Sequence, residues 1–256
     1  MLPETSTIPE LAKTGYRSDY MPQLDTLRTF AVFFVLIEHW LPENFWLKII
    51  PYGMIGVTAF FVLSGFLITQ ILIRSKISIE VHNTGIFNSL KQFYARRTLR
   101  IFPIYYLTVF IAFILNFESI RQKIFWYVFY LSNIYFYKIQ GWDGALSHLW
   151  TLAVEEQFYV FWPIVIIFIS RKYLLRSIVL LILFAMVFRG ILFQFSDHSE
   201  NSFNFISILT PSCLDCFGLG AVLAYLRCYK DKFLNFSGKA YTIFLLLNIF
   251  IITSLL

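Results

Sequence analysis

LDTLRTFAVFFVLIEHWL, residues 24–41, decides what kind of chain this is. The stretch is apolar over nearly its whole length, yet it carries Arg28 near one end and Glu38 and His39 near the other. At about 1.5 Å of rise per residue, a helix sets Arg28 and His39 roughly 16 Å apart along its axis. Eleven steps of about 100° bring both side chains to one face. Ionisable groups at membrane depth are costly and usually face a bundle interior or a polar cavity. Taken singly, Arg28 snorkels to a headgroup and His39 sits in the far interface. Taken together, the two form a polar stripe.

The composition agrees with a membrane class. Of 256 residues, 58% are hydrophobic, 20% aromatic and 14% charged, against about 25% charged in a soluble domain. The expected fold is an all-α polytopic transmembrane bundle. Its net charge of +6 is an orientation signal, because Lys and Arg collect in cytoplasmic loops. Those residues cluster between apolar spans, so no nucleic-acid partner is expected, and no metal site is read from the sequence. Cys213 and Cys216 sit inside an apolar run, where small helix-packing residues are favoured over a redox pair.

Residues 1–23 read as a polar cytoplasmic tail and residues 24–256 as one membrane domain. Asp25 is expected to N-cap the first span. A short outer loop follows, then a second span over about 55–73 with Gly56, Ser64 and Gly65 as close-packing residues. Residues 74–100 carry Arg74, Lys76, Lys91, Arg96, Arg97 and Arg100 against Glu80 and read as a cytoplasmic loop. The third span covers about 101–117, with Pro103 in its first turn. Residues 124–138, IFWYVFYLSNIYFYK, rise only about 22 Å as a helix, short of a roughly 30 Å hydrocarbon core. They are expected to re-enter the membrane or lie along its outer face within an outer segment, 118–150. Spans over 152–169, 178–195, 207–226 and 240–256 complete about seven.

Three polar clusters remain. Arg97 and Arg100, spaced i,i+3 beside Arg96, share a face suited to bidentate phosphate binding or to ordinary anchoring. His148 precedes the fourth span, and Glu155 and Glu156 lie one turn inside it, where they need an ion-pair partner or a catalytic role. Arg189 and Asp215 read as a structural pair between neighbouring helices.

Four stretches then resemble the acyltransferase-3 family of integral-membrane O-acyltransferases. They are LDTLRTFAVFFVLIEHW with its arginine, ten residues, histidine spacing; GVTAFFVLSGFLIT at 56–69; RRTLRIFPIYYL at 96–107 with its Arg-x-x-Arg; and HLWTLAVEEQFYVFWP at 148–163. TPSCLDCFGLGAVLA at 210–224 extends the match weakly. Thr58 stands where many members have Asp, Cys213 where many have Arg, and Thr151 replaces a Ser. Members typically have about ten spans, so this chain is expected to lack the last three.

The resemblance implies a membrane acyltransferase of the class that moves groups other than aminoacyl groups. The group would be acetyl, passing from acetyl-CoA or another acyl-CoA to a hydroxyl of a carbohydrate or lipid-linked glycan. Acyl-CoA enters as donor substrate, no cofactor is bound permanently, and membrane lipids surround the bundle. A bacterial inner membrane and a cytoplasmic N-terminus follow. His39 is then the candidate base or the carrier of the acyl group. Arg28 would orient donor or acyl carbonyl. Glu155 or Glu156 would orient His39 or bind acceptor hydroxyls, and Arg96, Arg97 and Arg100 would hold the donor's phosphates. A transporter would show repeated halves, and none is found; a non-catalytic scaffold would keep the motifs by descent alone.

The expected topology puts Ser147 outside and Ser170 inside. Single cysteines at these positions, with the native three removed, should be labelled and protected respectively by an impermeant thiol reagent. The opposite pattern would make 124–138 a full span.

Overall fold

The computed structural model describes residues 21–40, 50–142 and 144–229. Within them the chain is helical, with no strand. In order, the helices are α1 (Pro22–Trp40), α2 (Tyr52–His82), α3 (Ile86–Leu115), α4 (Ile120–Val128), α5 (Ser132–Ile139), α6 (Leu149–Phe168), α7 (Arg171–Gln194), α8 (Glu200–Ser207) and α9 (Thr210–Tyr229). Four helical stretches are long and apolar enough to cross a membrane: α2, α3, Gly144–Phe168 and α7. The bent pair α8–α9, turning through 59°, makes a fifth if it counts as one broken span. α1 carries Asp25, Arg28 and Glu38 within its 19 residues, and 240–256 and the tail 1–20 lie outside the described residues.

Three local expectations are corrected, and the aromatic segment 124–138 gains a break. The loop expected over 74–100 is helical: α2 runs on to His82, α3 starts at Ile86, and only 83–85 connect them. Lys and Arg are good helix formers, so polarity here does not break the helix. Asn83, left-handed at φ 53°, ends it. Pro103 therefore lies inside α3, where it leaves the Leu99 carbonyl without its usual amide partner. Asp25 sits in the first turn of α1 and is not its N-cap, because Pro22 starts the helix; its carboxylate pairs with Arg28 at 3.6 Å. The aromatic segment 124–138 is split between α4 and α5, of 9 and 8 residues. Each rises only about 12–14 Å, and Tyr130 in the break is left-handed, at φ 53°.

The core is built around α2. α1 lies along one side of it, with the Phe34 and Tyr52 rings 5.8 Å apart. α9 lies along another, and there backbones nearly touch: a Cβ on Gly65 would collide with the Phe217 backbone, and one on Gly220 with Val62 and Phe66. Small residues allow such approach where apolar driving force between helices is weak. Beside this seam, Phe217 stacks on Phe61 at 4.9 Å and on Phe158 at 4.1 Å. Trp162 Nε1 donates to Thr69 Oγ1 at 2.8 Å, satisfying the one polar atom of the largest buried side chain.

At one end of the bundle, Lys76 is only 5% exposed. Its Nζ donates to the carbonyls of Ile166 (2.9 Å), Ile167 (3.1 Å) and Ile169. Those carbonyls end α6 and have no amide of their own, and a cation suits a helix C-terminus. Nearby, Arg171 pairs with Glu80 and lies over the Tyr229 ring at 5.7 Å, joining the ends of α2, α7 and α9. A second core of Tyr105, Val109, Tyr127, Tyr130, Phe136, Leu149 and Phe205 packs α3, α4 and α5 against α6 and α8. The outer faces of α3 and α7 expose Ile104, Phe110, Leu180 and Phe184, as helices apolar all round do in lipid.

Gly65→Val should destabilise the bundle by about 1–3 kcal/mol, the usual cost of overpacking, read as a lowered melting temperature in detergent. Gly190→Ala, at a position with nothing within 4 Å of the added Cβ, should leave melting unchanged or raised. Equal melting of both variants would mean the α2–α9 seam is loose.

Candidate functional site

The polar groups of the expected site gather around α6. Glu155 accepts a hydrogen bond from Ser64 Oγ of α2 at 2.6 Å, and Tyr159 Oη donates to the same Ser64 oxygen at 3.1 Å. One turn separates Glu155 from Tyr159, so both face α2. The Arg97 guanidinium of α3 lies over the Tyr159 ring, 5.0 Å from its centre. Arg28 of α1 and Arg97 both act electrostatically on Glu155. Four helices thus contribute to the surroundings of one carboxylate.

Glu156 projects elsewhere. It interacts electrostatically with Tyr105, Tyr106 and Tyr130, and with Arg97. Its Oε1 is buried without a hydrogen-bond partner among the described residues. The next residue locks the region: Gln157 Nε2 donates to the Tyr130 carbonyl at 2.7 Å and to Asn133 Oδ1 at 2.9 Å, and Gln157 Oε1 accepts from Thr210 Oγ1 at 2.5 Å. Asn133 Nδ2 donates in turn to Thr210 Oγ1 at 3.2 Å. This network fastens the α4–α5 break to α6 and α9.

The three arginines expected at a donor site, Arg96, Arg97 and Arg100, line one cleft of about 280 Å³ between α2 and α3. Ser75, Ser89 and Gln92 share its wall with the apolar Ile71 and Phe93. Arg96 and Arg100 are exposed while Arg97 is half-buried, so Arg97 connects the cleft to the carboxylates. A fork of guanidinium groups with hydroxyl and amide donors beside it is chemically suited to phosphate.

His39 stands apart. It lies exposed in the last turn of α1 and makes no hydrogen bond, ion pair or ring contact with another described residue. Its neighbour Glu38 accepts from Gly53 N at 3.3 Å, placing a carboxylate at the N-terminus of α2 where the dipole favours it. Arg28, the carboxylates and the arginine cleft are brought together; His39 is not joined to them by a direct contact.

Two other clusters are structural. Arg189 Nη2 meets Asp215 Oδ2 at 2.5 Å, and Nη1 donates to the Ser212 carbonyl at 3.0 Å, the inter-helix pair expected from sequence. Cys213 and Cys216 are buried and unbonded to each other and pack in the α2–α9 core. Among the described residues no three His, Cys, Asp or Glu side chains converge as metal ligands would. Sequence reasoning missed Ser64, Gln157, Asn133, Thr210 and Tyr130. Tyr159 was missed too, although its place four residues after Glu155 on the same face is a signal that could have found it; the others depend on partners far away in the chain.

The profile of the acyltransferase domain family matches residues 21–256. The chain is 33% identical over 230 residues to the O-acetyltransferase OatA of Staphylococcus aureus (strain NCTC 8325 / PS 47), covering 82% of this chain and 35% of that protein. It is 35% identical over 195 residues to YrhL of Bacillus subtilis (strain 168), provisionally named a peptidoglycan O-acetyltransferase, covering 68% of this chain and 29% of YrhL. The chain thus spans about a third of the length of these curated relatives. No solved structure matches it.

Asp215→Leu should be severely destabilising, by about 3–5 kcal/mol, since it strands the Arg189 charge. The double substitution Arg189→Leu with Asp215→Leu should recover most of the loss, as measured by unfolding in graded detergent mixtures. Additive losses would mean the pair is not coupled.

Proposed function

The chain belongs to the acyltransferase domain family, and from that premise we propose that it moves an acetyl group from acetyl-CoA to a hydroxyl of a carbohydrate or lipid-linked glycan. The names of its relatives, one of them tied to peptidoglycan, support acetyl as the group and a carbohydrate as the acceptor. The observation that carries the reading is the arginine cleft and its link to buried carboxylates: Arg96, Arg97 and Arg100 around one cavity, with Arg97 also over Tyr159 and acting on Glu155.

In this reading the donor's phosphates sit in the cleft, held by the arginines. The acceptor hydroxyl loses its proton as its oxygen attacks the thioester carbonyl; the C–S bond breaks and the thiolate leaves to become CoA thiol. His39 takes the proton as base or first carries the acetyl group itself. Arg28, which acts electrostatically on Glu155, orients donor or acyl carbonyl. In this reading the bundle has about seven spans, counting 240–256 outside the described residues, with 118–150 outside and 124–138 entering without crossing, in a bacterial inner membrane with its N-terminus in the cytoplasm. The basic residues of 74–100 and 171–176 on one side support that orientation.

The test is acetyl transfer by purified protein from labelled acetyl-CoA to an N-acetylglucosamine oligosaccharide. His39→Ala should abolish turnover while inserting normally. Arg100→Lys should raise the donor KM about tenfold, since an ammonium cannot form the planar fork. Near wild-type turnover in His39→Ala would remove His39 from the mechanism. An unchanged donor response in both Arg97→Ala and Arg100→Ala would return the arginines to anchoring.

A further inference from the structure

Gln157, Asn133 and Thr210 close a ring of hydrogen bonds in which each side chain donates to the next. Gln157 Nε2 donates to Asn133 Oδ1 at 2.9 Å, Asn133 Nδ2 to Thr210 Oγ1 at 3.2 Å, and Thr210 Oγ1 back to Gln157 Oε1 at 2.5 Å. Each amide nitrogen carries a second hydrogen, and both of these leave the ring for a backbone carbonyl. That of Gln157 reaches the Tyr130 carbonyl at 2.7 Å, and that of Asn133 the Ile208 carbonyl at 3.4 Å. The first carbonyl lies in the break between α4 and α5, the second in the 59° bend between α8 and α9. Backbone freed by a helix break inside a membrane must be met within the protein, and this ring meets it at both breaks.

The ring grips α6 on one side only. Glu155 and Tyr159 stand two residues before and after Gln157, so each projects about 160° away from it around the helix. On that far side, Glu155 accepts from Ser64 Oγ at 2.6 Å and Tyr159 Oη donates to the same oxygen at 3.1 Å. α6 is therefore held from two nearly opposite sides within about one turn. Side-chain tips stand about 5–6 Å from a helix axis, so a rotation of about 20° carries them about 2 Å. That displacement parts Glu155 from Ser64, and misplacing a group at a reaction site by about 1 Å can cost about a hundredfold in rate.

We propose that Gln157 is a positioning residue for acyl transfer: through the ring it fixes the rotation of α6, and through that rotation the place of Glu155. No bond is made or broken at Gln157. The inference rests on the acyl-transfer reading for what Glu155 does in the reaction, whereas the rotational setting of α6 stands apart from that reading.

The experiment uses the purified 256-residue protein carrying Gln157→Met, Thr210→Val or Thr210→Ser. Gln157→Met removes every bond of its amide, and Thr210→Val opens the ring at one corner, carrying the test should Gln157→Met not insert. Each should lower kcat for transfer from acetyl-CoA to an N-acetylglucosamine oligosaccharide by about tenfold or more, with the acetyl-CoA KM nearly unchanged. Thr210→Ser, which keeps the hydroxyl, should retain turnover, and the double variant Gln157→Met with Thr210→Val should be no slower than Gln157→Met alone. Spin labels on Ile71→Cys and Val160→Cys, both exposed positions, read the rotation itself: their separation should change by about 2 Å in Gln157→Met and in Thr210→Val. A lowered melting temperature with kcat and label separation unchanged would make the ring a structural fastening only and overturn the proposal. So would additive losses of kcat in the double variant. If the labels move while the unmodified protein transfers no acetyl, the setting of α6 by Gln157 stands and the acyl-transfer reading fails. If transfer proceeds and every variant keeps the wild-type kcat, the proposal fails and that reading stands.

Discussion

A charge carried by an apolar helix is stable only if something in the fold meets it, and the arrangement of these helices follows from how each charge is met. Lys76 is met by three carbonyls at the end of α6, which fixes α2 against α6 at one depth. Arg189 is met by Asp215 and the Ser212 carbonyl, which fixes α7 against α9. Glu155 is met by Ser64, with Arg28 and Arg97 acting on it from α1 and α3. Glu38 is met by the N-terminus of α2. Each contact joins two different helices, so the charges that burden single helices specify the register of the bundle.

That register is possible only because α2 can be approached closely. Gly56 faces Ala31 and Val35 of α1, and Gly65 faces the Phe217 backbone of α9. Ser64, beside the second of these glycines, is thereby brought within 2.6 Å of Glu155. The small residues do two jobs at once: they let backbones meet, and they put a hydroxyl where a carboxylate needs one. A larger residue at 65 would move Ser64 away from α6 as surely as it would part α2 from α9.

What sequence reveals here is what can be read within one helix. Arg28 and His39 on one face of α1, Arg97 and Arg100 three residues apart on α3, and Glu155 with Tyr159 four apart on α6 are all consequences of helical period. The Arg189–Asp215 pair was legible because an apolar neighbourhood leaves two opposite charges little alternative. The helical ends were less legible. Residues 74–100 look like a loop because loops are where charges usually sit, yet Lys and Arg continue a helix readily once they project beyond the apolar layer. The Gln157–Asn133–Thr210 network was illegible, because its members lie 24 and 53 positions from Gln157 and amides and hydroxyls carry no periodic signature. Tyr130 was hidden for another reason: a left-handed tyrosine has no compositional signal, where a glycine would have had one.

The adjacency of Glu155 and Glu156 then gains a geometric meaning. Neighbouring residues on a helix project about 100° apart, so two consecutive carboxylates cannot serve one pocket equally. Glu155 turns to α2, to Ser64 and the arginine side; Glu156 turns to the tyrosines of α3 and the α4–α5 break. Arg97 acts on both, while Gln157, one residue further, pins the break in place. A single turn of α6 thus bears one acid bonded to Ser64 of α2 and a second that acts on the tyrosines of the second core. Its two acids are distinguished by surroundings alone: the first accepts a hydrogen bond from Ser64, and the second keeps an oxygen without a hydrogen-bond partner among the described residues.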